Sequence, residues 1–336
     1  MLALDHARTG SLPKAASVVD SRCDRLSVVI PLFNKATWIE AAVRSVLDDG
    51  DRVAEIIIVD DGSTDGGGDI VDGFDDPRVR LIRQRNGGVS RARNRGIETA
   101  TSDWIVFLDA DDYWLPGFGN ELGSLAADYP DCAMLATSYV VADEQGRHRR
   151  PDDARRLTGA ERLRLDDYVG MMSFGHVCCT NSIAVRRSLI QAAGLRFPEG
   201  EQLGEDVDFF FRVADLTAVA FSGRPLVAYR DAGGSNRLSH RRFDERVPPF
   251  VSRLESRSRD LSLPTVKRDG IRLYLTAQYE DLALASIREG RRFDALRFAV
   301  HPLLRARRGR WLALLGALLL PVVVIESIRR RRRKPV

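Results

Sequence analysis

The residues best suited to chemistry are acidic, and they come in three turns. Ile105-Val106-Phe107-Leu108 predicts a strand buried on both faces, and it runs into Asp109-Ala110-Asp111-Asp112. Carboxylates this close repel one another unless water or a cation disperses their charge. The carboxyl end of a strand in an open α/β sheet is where ligands sit. A hard divalent ion such as Mg2+ or Mn2+ takes one or two carboxylates together with substrate phosphates. A solvated turn ahead of a helix is the alternative, because Asp is also a common turn and N-cap residue. The second turn is Asp60-Asp61, after the apolar run Ile56–Val59; the third is Glu205-Asp206, ahead of Phe209-Phe210-Phe211. Several such turns on one sheet point to a shared cleft. There a carboxylate can accept the N3–H of a uracil ring. A diphosphate calls for a metal and basic side chains, and a sugar hydroxyl acting as nucleophile calls for an Asp or Glu general base.

The elements that must position these turns are legible as strands at Leu26–Pro31, Glu55–Val59, Val79–Ile82 and Ile105–Leu108. Between them, Ile39, Val43, Val46 and Leu47 recur at helical spacing behind the capping-box sequence Thr37-Trp38-Ile39-Glu40. Ser90 is placed to cap a helix to about Ala100. This alternation predicts a mainly parallel sheet with helices on both faces. Further strands are expected at Ala133–Val141, Ile183–Val185, Val219–Phe221 and Leu226–Tyr229, and a loop with a short helix at 143–166. Gly204 precedes a helix on which Asp208 lies about 200° from Asp206, so the two cannot face one cleft. From about residue 245 the chain reads as helical, with Ile271, Leu275, Gln278, Leu282 and Ala285 as one stripe. The Gly/Ser/Arg-rich stretch 231–243, with Arg230, Arg237 and His240, is either a lid over a diphosphate or a solvated basic loop.

Taken in order, Leu26–Pro31 with Phe33-Asn34, IIIVDDGSTD (Ile56–Asp65), RNGGVSRARNRG (Arg85–Gly96), FLDADDYW (Phe107–Trp114) and Gly204-Glu205-Asp206 resemble the family 2 glycosyltransferases over residues 26–230. The resemblance implies a GT-A type fold, a Rossmann-like, mainly parallel sheet flanked by helices, with a helical C-terminal region. It implies inverting transfer of a sugar from a nucleotide-diphosphate donor, UDP above all, with Mn2+ or Mg2+. Carried onto this chain, Pro31, Phe33 and Asn34 sit where the first strand meets the nucleotide. Asp61 faces the uracil N3–H, with Asp60 the weaker candidate, and Asn86 and Arg93 contact base and phosphate. Asp109-Ala110-Asp111 is the DXD motif, Asp109 toward ribose or donor sugar and Asp111 on the metal. Asp206 is the catalytic base, and Glu205 beside it is counted with the donor-binding residues. The QxxRW motif of processive members is absent, which implies addition of one or a few sugars to a discrete acceptor. Two other readings are a nucleotidyltransferase making a sugar nucleotide and a non-catalytic sugar-nucleotide binding module. The first would want a Gly-rich basic loop after the first strand, where this chain has Leu32-Phe33-Asn34-Lys35.

The 336 residues suffice for one large α/β domain and an accessory region. The expected division is a loose tail at 1–25, the GT-A domain at 26–243, a helical region at 244–310, and an apolar helix with a polybasic tail at 311–336. The net charge of +4 owes much to six consecutive cations, Arg329–Lys334, so no whole-protein nucleic-acid footprint exists. The four cysteines have no zinc spacing and imply a reducing, cytoplasmic setting. Trp311–Ile325 is apolar apart from Gly316 and Pro321, and as a helix would span about 22 Å, short of a bilayer core of roughly 30 Å. With basic clusters on both sides it predicts peripheral attachment to an anionic membrane, the inner face of the cell membrane, and a glycan or lipid-linked acceptor. The competing expectation is a helix packed on the catalytic domain.

Overall fold

The computed structural model describes residues 25–151, 161–201, 203–231, 247–305 and 308–319. The chain forms two compact units: residues up to Tyr168 with Phe174–Phe250, and Val169–Ser173 with Val251 onward.

In the first unit the chain order is β1 (Leu26–Leu32), α1 (Ala36–Leu47), β2 (Val53–Asp60), α2 (Gly67–Asp72), β3 (Val79–Arg83), α3 (Val89–Thr99), β4 (Trp104–Phe107), β5 (Tyr113–Trp114), α4 (Phe118–Asp128), β6 (Met134–Ala142), β7 (His148–Arg149) and β8 (Arg162–Leu165). There follow α5 (Tyr168–Met172, all but its first residue belonging to the second unit), a 3-10 turn (Thr180–Ser182), β9 (Ile183–Arg186), α6 (Arg187–Ala192), α7 (Glu205–Leu216) and β10 (Val219–Arg230). The sheet order is β3-β2-β1-β4-β9-β6-β10-β5, with β7 on β6 and β8 on β10. β1 to β4 are mutually parallel, and β6 and β10 form a second parallel pair. β9 joins the two sets by running antiparallel to both β4 and β6. This is the mainly parallel α/β sheet expected from the strand–helix alternation.

Two contacts in this sheet aim the site. Side chains alternate faces along β1. Val28 and Ile30 pack with Ile39, Val43 and Val46 of α1, all fully buried. On the other face Gly96 of α3 lies so close to Val29 that an added Cβ would fall 2.2 Å from its Cγ1. Only glycine permits this approach, which fixes Arg93 one turn earlier on α3. The second contact is aromatic. Phe107, at the end of β4, meets Phe197 edge-on at 5.0 Å and Phe209 of α7 at 5.9 Å, while Phe197 and Phe209 stack at 3.9 Å. Such pairs hold rings in defined geometry, so the start of α7 is indexed to the turn after β4.

The far half of the sheet is tied by Glu121 of α4. Its side chain, 1% exposed, accepts from Arg162 of β8 at 2.9 and 3.0 Å and from Arg224 of β10 at 2.8 Å. Burial alone would raise the carboxyl, but hydrogen bonds from Arg162, Ser222 and Arg224 outweigh it and bring its pKa down to about 2 from 4.5. A carboxyl lowered on folding adds stability that is fully present above its unfolded value and lost as pH falls through the folded one. Glu121→Gln should therefore lower unfolding free energy by about 3 kcal/mol at neutral pH. In denaturant melts the gap to wild type should shrink between pH 4.5 and 2. A gap that stays constant across that window refutes the assignment.

The second unit is helical: α8 (Pro249–Ser258, whose first two residues belong to the first unit), α9 (Thr265–Arg288), α10 (Arg292–Ala299), α11 (Pro302–Arg305) and α12 (Arg308–Leu319). Ile271, Leu275 and Leu282 of the expected α9 stripe are buried, joined by Tyr274, Tyr279 and Ile287. Gln278 and Ala285 are only half-buried.

Several local expectations are corrected. α1 starts at Ala36, and its first amide donates to Asp65 of the β2–α2 loop at 2.8 Å. The Thr37/Glu40 capping box therefore does not form, and Glu40 pairs with Arg44 instead. Ser90 is not a cap: α3 starts at Val89 behind Gly88, and the buried Ser90 hydroxyl has no partner among the described residues. The strands expected at 219–221 and 226–229 are one strand, β10, whose register shifts around Pro225, which has no amide to donate. The described part of 143–166 holds β7 and β8, and the rest of that stretch, residues 152–160, lies outside the described residues, where the expected short helix is not tested. Residues 1–24, 232–246 and 320–336 lie outside the described residues, and with them the expected tail, most of the expected lid (Arg237 and His240 included) and the polybasic end.

Candidate active site

The loops after β1, β2 and β4 lie at the carboxyl ends of adjacent parallel strands. Pro31 and Leu32 end β1, Phe33 follows, 48% exposed, and Asn34 turns the chain with φ of 51°, the left-handed region that Asn tolerates. Asn34 binds across to the β2 loop: its side-chain oxygen accepts from the Thr64 amide at 2.8 Å, and its own amide donates to Ser63 at 3.2 Å. Asp60, buried at the end of β2, accepts from the Ser63 amide at 2.8 Å. Asp61, also buried, accepts from Gln84 at 2.7 Å and from the amides of Gly87 and Gly88 at 2.9 and 2.7 Å. The turn Asn86-Gly87-Gly88 thus folds around the Asp61 carboxylate, leaving Asn86 itself exposed.

Arg93 organises the acidic centre. It is 4% exposed and lies between Asp109, at 2.8 Å, and Glu205, at 3.2 Å, with its guanidinium carbon 5.2 Å from the Phe197 ring centre. Burial opposes its charge, but the carboxylates of Asp109, Glu205 and Asp206 outweigh it and hold it more firmly cationic than a free arginine. Glu205 is pushed the other way: burial and the Asp206 charge raise its carboxyl against the pull of Arg93. Both acids occupy the first turn of α7, behind Gly204 at φ 76°. A Cβ on Gly204 would stand 2.3 Å from the Phe250 ring, so a side chain is excluded on both counts. Asp206 is half-buried, accepting from the Thr180 hydroxyl at 2.9 Å and from the Val207 amide at 2.8 Å. Asp208 points elsewhere, to Arg212 at 2.8 Å, as the helical angle requires.

In the turn after β4, Ala110 is buried, Asp111 is half-buried, and Asp112 is only 2% exposed. Asp112 accepts from Asn181 and, at 2.7 Å, from the Arg230 amide, so it is a structural tie between the turn and β10. Asp111 accepts from Lys35 at 2.6 Å, with both side chains partly open to solvent. Arg230 stands between the Trp38 and Tyr113 rings, at 4.4 and 4.9 Å. No cluster of three or more metal-ligating side chains exists among the described residues. The part-exposed Asp111 could hold a divalent ion whose other ligands come from a bound phosphate, the arrangement a hard ion such as Mg2+ favours.

The sequence reading missed Thr180 and Asn181. Asn181, 1% exposed, accepts from the Asp109 amide at 2.7 Å and donates to Asp112, so one amide holds both ends of the DAD-D turn. Their signal was a polar triplet, Thr180-Asn181-Ser182, directly ahead of an apolar strand. Trp114, at the end of the FLDADDYW motif, is core: 3% exposed against Phe118 at 4.5 Å.

This mainly parallel sheet flanked by helices is a GT-A type fold. The chain matches TarS of S. aureus, solved in complex with UDP-GlcNAc, with a TM-score of 0.64 over 88% of this chain and 80% of that one, at 17% identity. Residues 27–192 match the family model "Glycosyl transferase family 2", and this segment is a family 2 glycosyltransferase domain. Among curated relatives, the uncharacterized glycosyltransferase EpsJ of Bacillus subtilis is 30% identical over 222 residues, covering 61% of each chain. The uncharacterized glycosyltransferase YibD of Escherichia coli is 40% identical over 107 residues, covering 31% of each. The matches to EpsJ and to the putative glycosyltransferase EpsH thus span about three fifths of those relatives' lengths.

Proposed function

We propose that this chain transfers a glycosyl group from a UDP-linked donor to an acceptor hydroxyl with inversion at the anomeric carbon. The observation that carries the proposal is the Arg93 bridge, which joins the Asp109 turn to the Glu205-Asp206 turn through two ion pairs. In this reading Asp206 takes the proton of the acceptor hydroxyl. The oxygen bonds to the anomeric carbon as the bond to the diphosphate breaks, and the nucleoside diphosphate leaves with the electron pair. Asp206 has one carboxylate oxygen oriented by Thr180, an arrangement suited to a positioned base. Asp61, its carboxylate held by Gln84 and the amides of Gly87 and Gly88, faces the uracil N3–H in this reading. Pro31, Phe33, Asn34, Asp60 and Asn86 border the same loops. Arg93 acts by holding Asp109 and Glu205 in place rather than by reaching a phosphate. Mg2+ or Mn2+, held by Asp111, would neutralise charge on the leaving diphosphate. The solved TarS complexes with UDP-GlcNAc and UDP support a uridine nucleotide.

The acceptor in this reading is a glycan or a lipid-linked glycan of cell-surface polysaccharide or glycolipid assembly, met at the inner face of the cell membrane. No described helix is long and apolar enough to cross a membrane; attachment in this reading is peripheral, through the basic clusters on either side of Trp311–Ile325.

Incubation with a panel of nucleotide sugars and Mn2+ should release UDP from one of them. Proton NMR of the transferred product should show the anomeric configuration inverted relative to the donor. Retained configuration overturns the single-displacement reading.

A further inference from the structure

The helical unit carries an apolar stripe that its own core does not use. On α10, Phe293 is 92% exposed and Leu296 46%, and Val300 at the helix end is 41% exposed. Spacing of three and seven residues places all three within about 60° of one face. Opposite them Ala295, Phe298 and Ala299 are buried in the unit. The Trp311 ring nitrogen donates to the Ala299 carbonyl at 3.0 Å, which sets the start of α12 beside the end of α10 and with it Leu312, 59% exposed. A soluble surface scatters single apolar side chains, but a stripe led by an almost fully exposed phenylalanine is a contact surface.

Charge identifies the partner. Residues 291–310 contain seven arginines and one carboxylate, Asp294. Arg291 neutralises Asp294 at 3.0 Å and Glu289 at 2.7 Å, so the acidic groups next to the stripe are already paired. A second copy of this face would bring like charge against like charge, and the chain's own end, with six consecutive cations, is no better matched. Phenylalanine and leucine projecting from a cationic helix, rather than lining a groove, suit an anionic lipid surface, where rings enter the acyl boundary and guanidinium groups stay among phosphates.

We propose that the Phe293–Leu296–Val300 face of α10, with its flanking arginines, is the surface by which this chain docks on anionic lipid. The proposal deepens the membrane-facing part of the function above and does not depend on the chemistry assigned to Asp206 or Asp111. The test is sedimentation of the full-length protein with vesicles of phosphatidylglycerol and phosphatidylcholine, and with pure phosphatidylcholine. Wild type should bind the anionic vesicles, weaken with added salt, and ignore the neutral ones. Phe293→Ser with Leu296→Ser should reduce binding at least about tenfold with the circular dichroism spectrum and UDP-sugar hydrolysis unchanged. Wild-type binding with no loss in the double variant refutes this face while leaving membrane attachment to another segment. Failure of the wild type to bind refutes both. A dimeric wild type that becomes monomeric in the double variant, with vesicle binding unaffected, assigns the stripe to self-association and likewise overturns the proposal.

Discussion

Asp206→Asn should bind a UDP-sugar as tightly as wild type and lose about two to four powers of ten in the rate of transfer. Asparagine matches aspartate in shape: its amide oxygen, in the place of Oδ1, can accept from the Val207 amide, and its NH2, in the place of Oδ2, can donate to the Thr180 hydroxyl, so both contacts Asp206 makes among the described residues have a counterpart. What it lacks is a basic site for the acceptor proton. Glu205 cannot stand in. It is buried and bound to Arg93, and its raised pKa reflects burial and the neighbouring Asp206 charge rather than an opening to solvent. The comparison variant is Glu205→Gln, which removes one of the two carboxylates neutralising a buried guanidinium. That change should lower thermal stability as well as activity, whereas Asp206→Asn should leave stability near wild type. A half-active Asp206→Asn enzyme, or one whose loss lies wholly in donor affinity, removes Asp206 from the base role.

The difference between these neighbours shows where the sequence stopped informing. Two adjacent acids ahead of three phenylalanines announced a helix start, and helical geometry alone separated Asp206 from Asp208. Which acid would be buried depended on Arg93, more than a hundred residues earlier, and on Phe197 beneath it. Strands β1, β2 and β4 were legible because a short all-apolar run bounded by polar turns suits a strand covered on both faces and little else. The caps were not. The α1 cap comes from Asp65, in a different loop, and a local capping-box pattern cannot report a donor–acceptor pair formed by tertiary structure. Asn181 was faint for the same reason: a polar triplet before a strand gains meaning only when the turn after β4 is folded next to it. Glycine was partly legible. The motif drew attention to Gly96, but its reason is the approach of Val29, a packing fact with no local trace.

Asp111→Ala should abolish the metal-dependent part of donor binding and reduce transfer at least ~10²-fold while leaving the fold intact. The fold should survive because, among the described residues, Asp111 has one partner, Lys35, in a pair whose side chains are 40% and 30% exposed. Such pairs contribute roughly 0–1 kcal/mol. Asp109→Ala is the instructive contrast, since Asp109 neutralises the buried Arg93 and its amide is held by Asn181. Its loss strands a buried cation, so a fall in melting temperature should accompany the fall in activity. Calorimetric titration of UDP-sugar with and without Mn2+ separates the roles. Wild type should bind more tightly with Mn2+, and Asp111→Ala should show one affinity in both conditions, equal to that of metal-free wild type. Lys35→Met provides the check on the ion pair itself. If Lys35 competes with the cation for Asp111, this variant should need less Mn2+ for half-maximal binding. Undiminished transfer by the wild type in EDTA removes the metal from the reaction and leaves Asp111 as a partner of Lys35 alone.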